Sequence, residues 1–205
     1  MKRLLLATHN PGKVYELKLG LQPLTKAGIK LISLADLGIN EEPDENGTTF
    51  EENAALKAKF YANLTRLPSL ADDGGIHIDA LKGEPGIKSR MWLGYRADDE
   101  KLINYTLKRL KNVPKKHRTA YLTTTVCFYD PTSKVELVAE GRLKGYIAHQ
   151  TSSIRIKGYP YRSLFIVSGL DKYYDELTVS EHIKINHRLR ALKRLLQKIK
   201  PYLLQ

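Results

Sequence analysis

Three short segments of this chain carry side chains suited to phosphate chemistry. Thr8-His9-Asn10-Pro11-Gly12-Lys13 places a hydroxyl, an amide and an ammonium in one turn. Glu52 stands in Phe50-Glu51-Glu52-Asn53-Ala54, and Asp72-Asp73 runs straight into Gly74-Gly75. Carboxylates gathered beside phosphate-binding groups repel a polyphosphate unless a hard cation stands between them. Mg²⁺ suits that place, because it takes carboxylates together with phosphate oxygens and keeps some of its waters. A carboxylate left over can act as general base on an attacking water. Each acid also has a purely structural reading, Glu52 as a helix cap and Asp72-Asp73 as turn formers.

The positioning elements follow from apolar periodicity. Leu4-Leu5-Leu6-Ala7 reads as a buried strand, and a helical pattern over residues 14–21 follows the turn. Backbone N–H groups at a helix start lack intrahelical partners and carry the positive end of the dipole, so phosphate suits such a turn. Gly12 allows close backbone approach and Lys13 adds a point charge. The Walker spacing is absent, and an ordinary strand-to-helix turn with a solvated lysine fits the same residues.

Residues 30–34 read as a second strand and the acidic stretch 41–47 as a surface loop. Thr49, followed three residues later by Glu52, forms a capping-box signature before a helix over 50–64. Residues 70–80 read as strand, turn and strand, which puts both aspartates on a glycine-bounded turn. A helix is expected over 99–110, and two long strands over 119–129 and 135–147 are joined by the turn at 130–134. A final helix from about Asn186 aligns Leu189, Leu192, Leu195, Leu196 and Ile199 on one face, opposite Arg190, Lys193, Arg194 and Lys198. Interleaved helices and strands of this kind predict an α/β fold with a mixed central sheet and long antiparallel strands.

At 205 residues the chain has the size of one domain, or of one domain with two lobes. No apolar run reaches membrane-spanning length, and no signal-peptide core follows the amino terminus. Cys127 is the only cysteine, which excludes intrachain disulfides and cysteine-rich zinc sites and makes a cytoplasmic location the expectation. The net charge of +12 is uneven: residues 1–100 balance to −2 and residues 101–205 to +14. A basic half suits a nucleotide ligand. A polynucleotide partner is its less favoured reading, and a solvated face accounts for any single patch.

The chain resembles the Ham1, or inosine triphosphate pyrophosphatase, family. The matching segments are T-H-N-P-G-K at 8–13, S-L-A-D-L-G at 33–38, G-T-T-F-E-E-N-A-A-L-K-A at 47–58, L-A-D-D-G-G at 70–75, G-E-P-G-I-K-S at 83–89 and I-N-H-R-L-R-A-L at 185–192. They keep the family's order and spacing over nearly the whole chain. The resemblance implies a single Ham1-like domain over 1–205, with two lobes and a cleft between them. The amino-terminal part and the carboxy-terminal helix would form the nucleotide-binding lobe, with the second lobe around 115–165. It also implies a homodimer and Mg²⁺-dependent hydrolysis of deaminated purine nucleotides (ITP, dITP, XTP) to monophosphate and pyrophosphate.

Carried over by position, Thr8, Asn10, Lys13 and Lys57 would hold the triphosphate. Glu52, Asp72 and Asp73 would hold the metal, with Asp73 activating the water and Lys13 assisting catalysis. Tyr159, His187 and Arg188 would meet the base. The base end departs most from the family's pattern. Gly158-Tyr159-Pro160-Tyr161-Arg162-Ser163 stands where G-F-G-Y-D-P is usual, so Arg162 replaces an aspartate. His182 replaces a lysine, Asn186 a serine and Gly74 a serine, and Arg90 is displaced by one position. Two rivals follow from these departures: a nucleotide- or nucleic-acid-binding relative without turnover, and the same hydrolase with altered base preference.

Overall fold

The computed structural model describes residues 2–204. In chain order the elements are β1 (Arg3–Leu6), α1 (Pro11–Gly20), α2 (Gln22–Lys26), β2 (Lys30–Ser33), α3 (Phe50–Thr65), β3 (Ser69–Ile78) and β4 (Pro85–Gly86). There follow α4 (Asp99–Arg109), β5 (Thr119–Tyr129), β6 (Glu136–Ile147), β7 (Phe165–Val167), α5 (Val179–Ile185) and α6 (His187–Leu204). The strands form one sheet in the order β2-β1-β3-β5-β6-β7, with β4 on β3. β1 pairs parallel with β2 and β3, while β3–β4 and β6–β7 are antiparallel, so the sheet is mixed as expected. No helix among the described residues is long and apolar enough to cross a membrane.

Two compact units can be distinguished. Residues up to Asp73, Thr124–Gly141 and the chain from His187 on form the first; Gly74–Thr123 and Arg142–Asn186 form the second. In the first unit the period-two alternation of strands sorts side chains between two cores. Leu4, Leu6, Leu70, Val126 and Phe128 pack with Leu17, Leu192, Leu195 and Ile199 of α1 and α6. Leu5, Ala7, Ala71 and Cys127 pack with Ala54, Ala58 and Tyr61 of α3. The leucine stripe expected on the last helix is therefore its core face. In the second unit, Leu102 and Ile103 of α4 pack with Ile76, Ile78, Leu122, Leu143 and Phe165. Arg118, 1% exposed, closes that unit by donating to the carbonyls of Leu110, Val113 and Ala148 at 2.5–2.8 Å, the first of which ends α4.

Two expectations are corrected. The first helix starts at Pro11, not Val14, because Asn10 caps it and proline is preset for the first helical position. Residues 69–78 form one strand rather than strand, turn and strand. Aspartate is unfavourable in strands chiefly because its carboxylate competes for backbone groups, and here both carboxylates are engaged by cations from other elements. The helix α5, unforeseen, is fixed by a capping box in which Thr178 and Glu181 bond each other's backbone N–H.

Gly141 on β6 sets the approach of α6, since a Cβ there would overlap the carbonyl oxygen of His187. Gly141→Ala should destabilise the protein by about 1–3 kcal/mol. Equilibrium urea denaturation, with α6 as the displaced element, measures it.

Candidate functional site

The amino-terminal turn supplies its own anion. Asn10 Oδ1 accepts from the N–H groups of Gly12 at 2.9 Å and Lys13 at 3.2 Å, so the helix-start donors nearest the turn are already paired. Thr8 Oγ1 accepts from the Asn10 N–H at 3.3 Å and holds the turn from the other side. These bonds leave the Asn10 amide nitrogen and the Thr8 hydroxyl proton as donors of the turn, while the Lys13 ammonium turns to Asp72.

Because residues 72 and 73 lie within a strand, their side chains leave on opposite faces. Asp72 points to the α1–α6 side. Its Oδ2 receives Arg188 Nε at 3.0 Å and a second Arg188 nitrogen at 2.9 Å, and Lys13 Nζ at 3.1 Å. Arg188 reaches on to Glu16 of α1, with which it makes a short ion pair. Arg188, Asp72 and Glu16 are all nearly inaccessible, at 3%, 1% and 3% exposure. Burial alone would raise the Asp72 pKa, but Arg188 and then Lys13 hold the carboxyl well below the ordinary carboxylate range. Burial lowers the Lys13 pKa; Asp72 pulls the other way, and Lys57 and Arg188 add to the fall.

Asp73 points to the α3 side. Lys57 Nζ lies 3.3 Å from its Oδ1, and Asn53 Nδ2 donates to its Oδ2 at 3.3 Å. Asn53 and Lys57 are four apart on α3 and therefore share a face. Lys57 also pairs with Glu45 at 2.9 Å, and Asn53 Oδ1 accepts from the Gly47 N–H at 2.8 Å, which fixes the acidic loop against the helix. Burial presses down on Lys57, but Asp73 and Glu45 outweigh it and leave its pKa raised. The Asp73 side chain keeps 14% of its surface open whereas that of Asp72 keeps none. Thr124 Oγ1 on β5 sits between the two, 3.0 Å from the Asp73 carbonyl and 3.4 Å from Asp72 Oδ2.

Sequence reasoning groups Lys13, Lys57, Glu52, Asp72 and Asp73 and sets Arg188 apart at the base end; the structure joins Lys13 to Asp72 and Lys57 to Asp73 by direct contact and brings Arg188 onto Asp72 as well. Glu52 is exposed at the start of α3, and its Oε2 accepts from the Thr48 N–H at 2.6 Å and the Thr48 hydroxyl at 2.9 Å. Only half of the expected capping box forms, because Thr49 accepts the Glu52 N–H while the Glu52 carboxylate turns to Thr48 instead. These bonds hold the Glu52 carboxyl below its ordinary pKa. His187 is buried at the first position of α6. Tyr159 belongs to the second unit, where the Arg162 guanidinium lies 3.6 Å from its ring centroid.

Four residues of the site were not singled out from the sequence: Glu16, Glu45, Asn53 and Thr124. Asn53 was accessible, since it stands four residues before Lys57 on a helix. Glu16 stands one turn beyond Lys13 and offered the same signal. Glu45 and Thr124 come from a loop and a strand with no spacing relation to the rest.

The expected trio of metal ligands does not gather as a trio: among the described residues no group of three or more His, Cys, Asp or Glu is arranged to hold a metal. The division of Asp72 and Asp73 between two faces is the reason. The donor set still suits a hard ion of the Mg²⁺ type, which needs only one or two carboxylates when a polyphosphate and water complete its shell. Asp73 and Glu52 are the two expected ligands with oxygen surface open to such an ion.

The Ham1 family model matches residues 4–198. A dITP/XTP pyrophosphatase from Bacillus subtilis is 42% identical over 195 residues, which cover 95% of this chain and 96% of that protein. A HAM1 protein of solved structure from Coxiella burnetii superposes with a TM-score of 0.84 at 30% identity, covering 98% of this chain and 100% of that one. A nucleoside-triphosphatase / dITP/XTP pyrophosphatase from Mycobacterium abscessus superposes with a TM-score of 0.74 at 35% identity, covering 95% and 98%.

Removing one member of a buried ion pair strands the other. Arg188→Met should therefore destabilise the protein by about 3–5 kcal/mol at neutral pH. A carboxyl whose pKa is lowered by folding contributes stability above its unfolded value, near 4, and loses it as the pH falls through the folded value. The gap between wild type and Arg188→Met should accordingly be widest above about pH 4 and narrow on acidification, as denaturation curves across pH will read.

Proposed function

This chain belongs to the Ham1 family, and we propose that it hydrolyses deaminated purine nucleoside triphosphates (ITP, dITP and XTP) to the monophosphate and pyrophosphate with Mg²⁺. The observation that carries this reading is the pair of lysines, Lys13 and Lys57, each fixed by one of two adjacent aspartates on opposite faces of β3. Two ammonium groups held in place without being spent on each other suit a polyphosphate. The carboxylates orient them, and the phosphates supply the larger negative charge.

The two aspartates divide the work. Asp72, shut away and held ionised by Arg188 and Lys13, keeps Lys13 in position. Asp73 is the base. Each of its oxygens holds one donor, Lys57 on one and Asn53 on the other, which leaves a lone pair free on each to take a proton from water. That water attacks the α-phosphorus, its proton passes to Asp73, and the bond to the bridging oxygen breaks as pyrophosphate leaves. Lys13 and Lys57 stabilise the charge that develops on the departing oxygens. Thr8 and Asn10 donate to the phosphate oxygens from the turn. Asp73 and Glu52 would hold a Mg²⁺ ion, which would supply Lewis-acid charge to the triphosphate.

At the base end, His187 offers a donor for the six-position carbonyl. A donor there disfavours adenine, whose six-position is itself a donor, and the unpaired groups left behind supply the discrimination. Arg188, expected beside His187 as a second donor, is committed instead to Glu16 and Asp72, so the discrimination rests on fewer groups. The homodimer and a cytoplasmic location belong to the same proposal, the former to be read by light scattering as twice the chain mass.

Pyrophosphate release from ITP, dITP, XTP, ATP and GTP tests the proposal. Turnover should be fastest on the first three, abolished by EDTA, restored by Mg²⁺, and lowered at least about 100-fold in Lys13→Ala and Lys57→Ala. Salt-sensitive polynucleotide binding with no turnover on any triphosphate would instead favour the binding relative.

A further inference from the structure

The second unit gathers positive charge that the proposed reaction does not use. A cleft of about 420 Å³ opens there beside the turn before β5, strand β6 and the residue that follows β7. Clefts of roughly 300–1,000 Å³ hold small ligands. The charged lining is Lys115, Lys116 and Lys144, and Thr119 and Ser168 add hydroxyls. Among the described residues none of the three ammonium groups is ion-paired, and neither hydroxyl makes a hydrogen bond. Backbone contacts fix the walls. Buried Arg118, next to the short turn Lys115–His117, donates to the carbonyls of Leu110, Val113 and Ala148, and its own carbonyl accepts the Ile147 N–H at 2.9 Å. The Ser168 N–H donates to the Lys144 carbonyl at 3.2 Å. Gly145 permits that approach, because a Cβ there would overlap the Ile166 carbonyl oxygen and the Phe165 ring. Lys144 and Tyr146 stand two apart on β6 and so share a face. Lys115 Nζ lies 5.0 Å from the Tyr146 ring centroid, a contact that keeps its ammonium at the cleft. The Tyr146 hydroxyl donates at 3.4 Å to Asp171, whose carboxylate is not part of the lining.

Like charges drawn into one cleft with no carboxylate between them repel, and a bound anion relieves the repulsion. Ammonium groups act as point charges, so three of them suit a multiply charged anion; a lone carboxylate is better met by one planar guanidinium fork. With two hydroxyls beside them the lining offers donors and no charged acceptor, as phosphate oxygens require. The unit that carries the cleft holds twice as many Lys and Arg as Asp and Glu, which draws anions towards it. We propose that this cleft is a second anion site, taking a chain of two or more phosphates. The inorganic chain and the phosphate tail of a nucleotide share that chemistry. None of the lining groups takes part in the proposed hydrolysis, so binding here can be measured in a protein whose reaction site is blunted.

The measurement is a titration of Lys13→Ala/Lys57→Ala protein with inorganic pyrophosphate in the presence of EDTA, followed by the amide chemical shifts of Thr119, Gly145 and Ser168. The three amides should shift saturably. Lys115→Gln and Lys144→Gln, each added to that protein, should raise Kd about tenfold, while Lys193→Gln, which removes an exposed charge of α6, should leave it within about twofold. Sulfate, a single tetrahedral anion, should bind about tenfold more weakly than pyrophosphate. ADP run beside pyrophosphate identifies the source of the phosphates: tighter ADP binding identifies a nucleotide, and equal or weaker binding the inorganic chain. Should the double variant fail to fold, the same three amides in wild type decide, because each reports its own surroundings. Pyrophosphate that leaves these amides unmoved overturns the proposal. So does a Lys193→Gln protein that loses as much affinity as Lys144→Gln, since net charge alone then accounts for the binding.

Discussion

Arg188 enters the structure as a charge that has no route to water. Its guanidinium, on the first turn of α6, is closed in by Glu16 of α1 and Asp72 of β3, and both carboxylates are themselves buried. Desolvating three ions is expensive, and an apolar trio of the same volume could pack as stably. What the ions add is direction. A guanidinium fork donates to a carboxylate only in its plane, so α1, β3 and α6 must meet in one arrangement for all three charges to be satisfied. The carboxy-terminal helix is thereby tied to the amino-terminal turn, and Gly141 lets its backbone come close enough for Arg188 to reach.

That constraint propagates to the chemistry. With Asp72 drawn to the Arg188 side of β3, strand geometry sends Asp73 to the other side, where Asn53 and Lys57 of α3 receive it. The two lysines then experience different surroundings. Lys13 faces a carboxylate already satisfied by Arg188, and its pKa falls under burial; Lys57 faces Asp73 and Glu45, and its pKa rises. Both ammonium groups derive their placement from the same pair of adjacent residues, one on each face of β3.

Much of this was legible in the chain. The apolar run at 4–7, the helix over 50–65 and the stripe on α6 announced themselves because each keeps one period long enough to be read. The run Asp72-Asp73-Gly74-Gly75 misled for a physical reason: local propensity there is that of a turn, and it is overridden by cations from residues 13, 57 and 188, which lie far off in the chain. Asn10 and Glu52 were read as groups facing a ligand, while the structure shows each first satisfying its own helix end. The covering of Tyr159 by Arg162 needed three dimensions, since a turn places residues three apart in contact only for particular backbone angles. Glu16 and Asn53 lay within reach of a helical-spacing argument that starts from Lys13 and Lys57.

The central claim is that two adjacent aspartates have separate tasks, one holding the scaffold and one serving the reaction. Its most direct test is a parallel measurement of unfolding free energy and of kcat on ITP for Asp72→Asn and Asp73→Asn. The account predicts that Asp72→Asn loses about 3–5 kcal/mol of stability because Arg188 is left uncompensated. It predicts that Asp73→Asn stays within about 1 kcal/mol of wild type while its turnover collapses. An Asp72→Asn protein as stable as wild type, or an Asp73→Asn protein that still turns over normally, would contradict it.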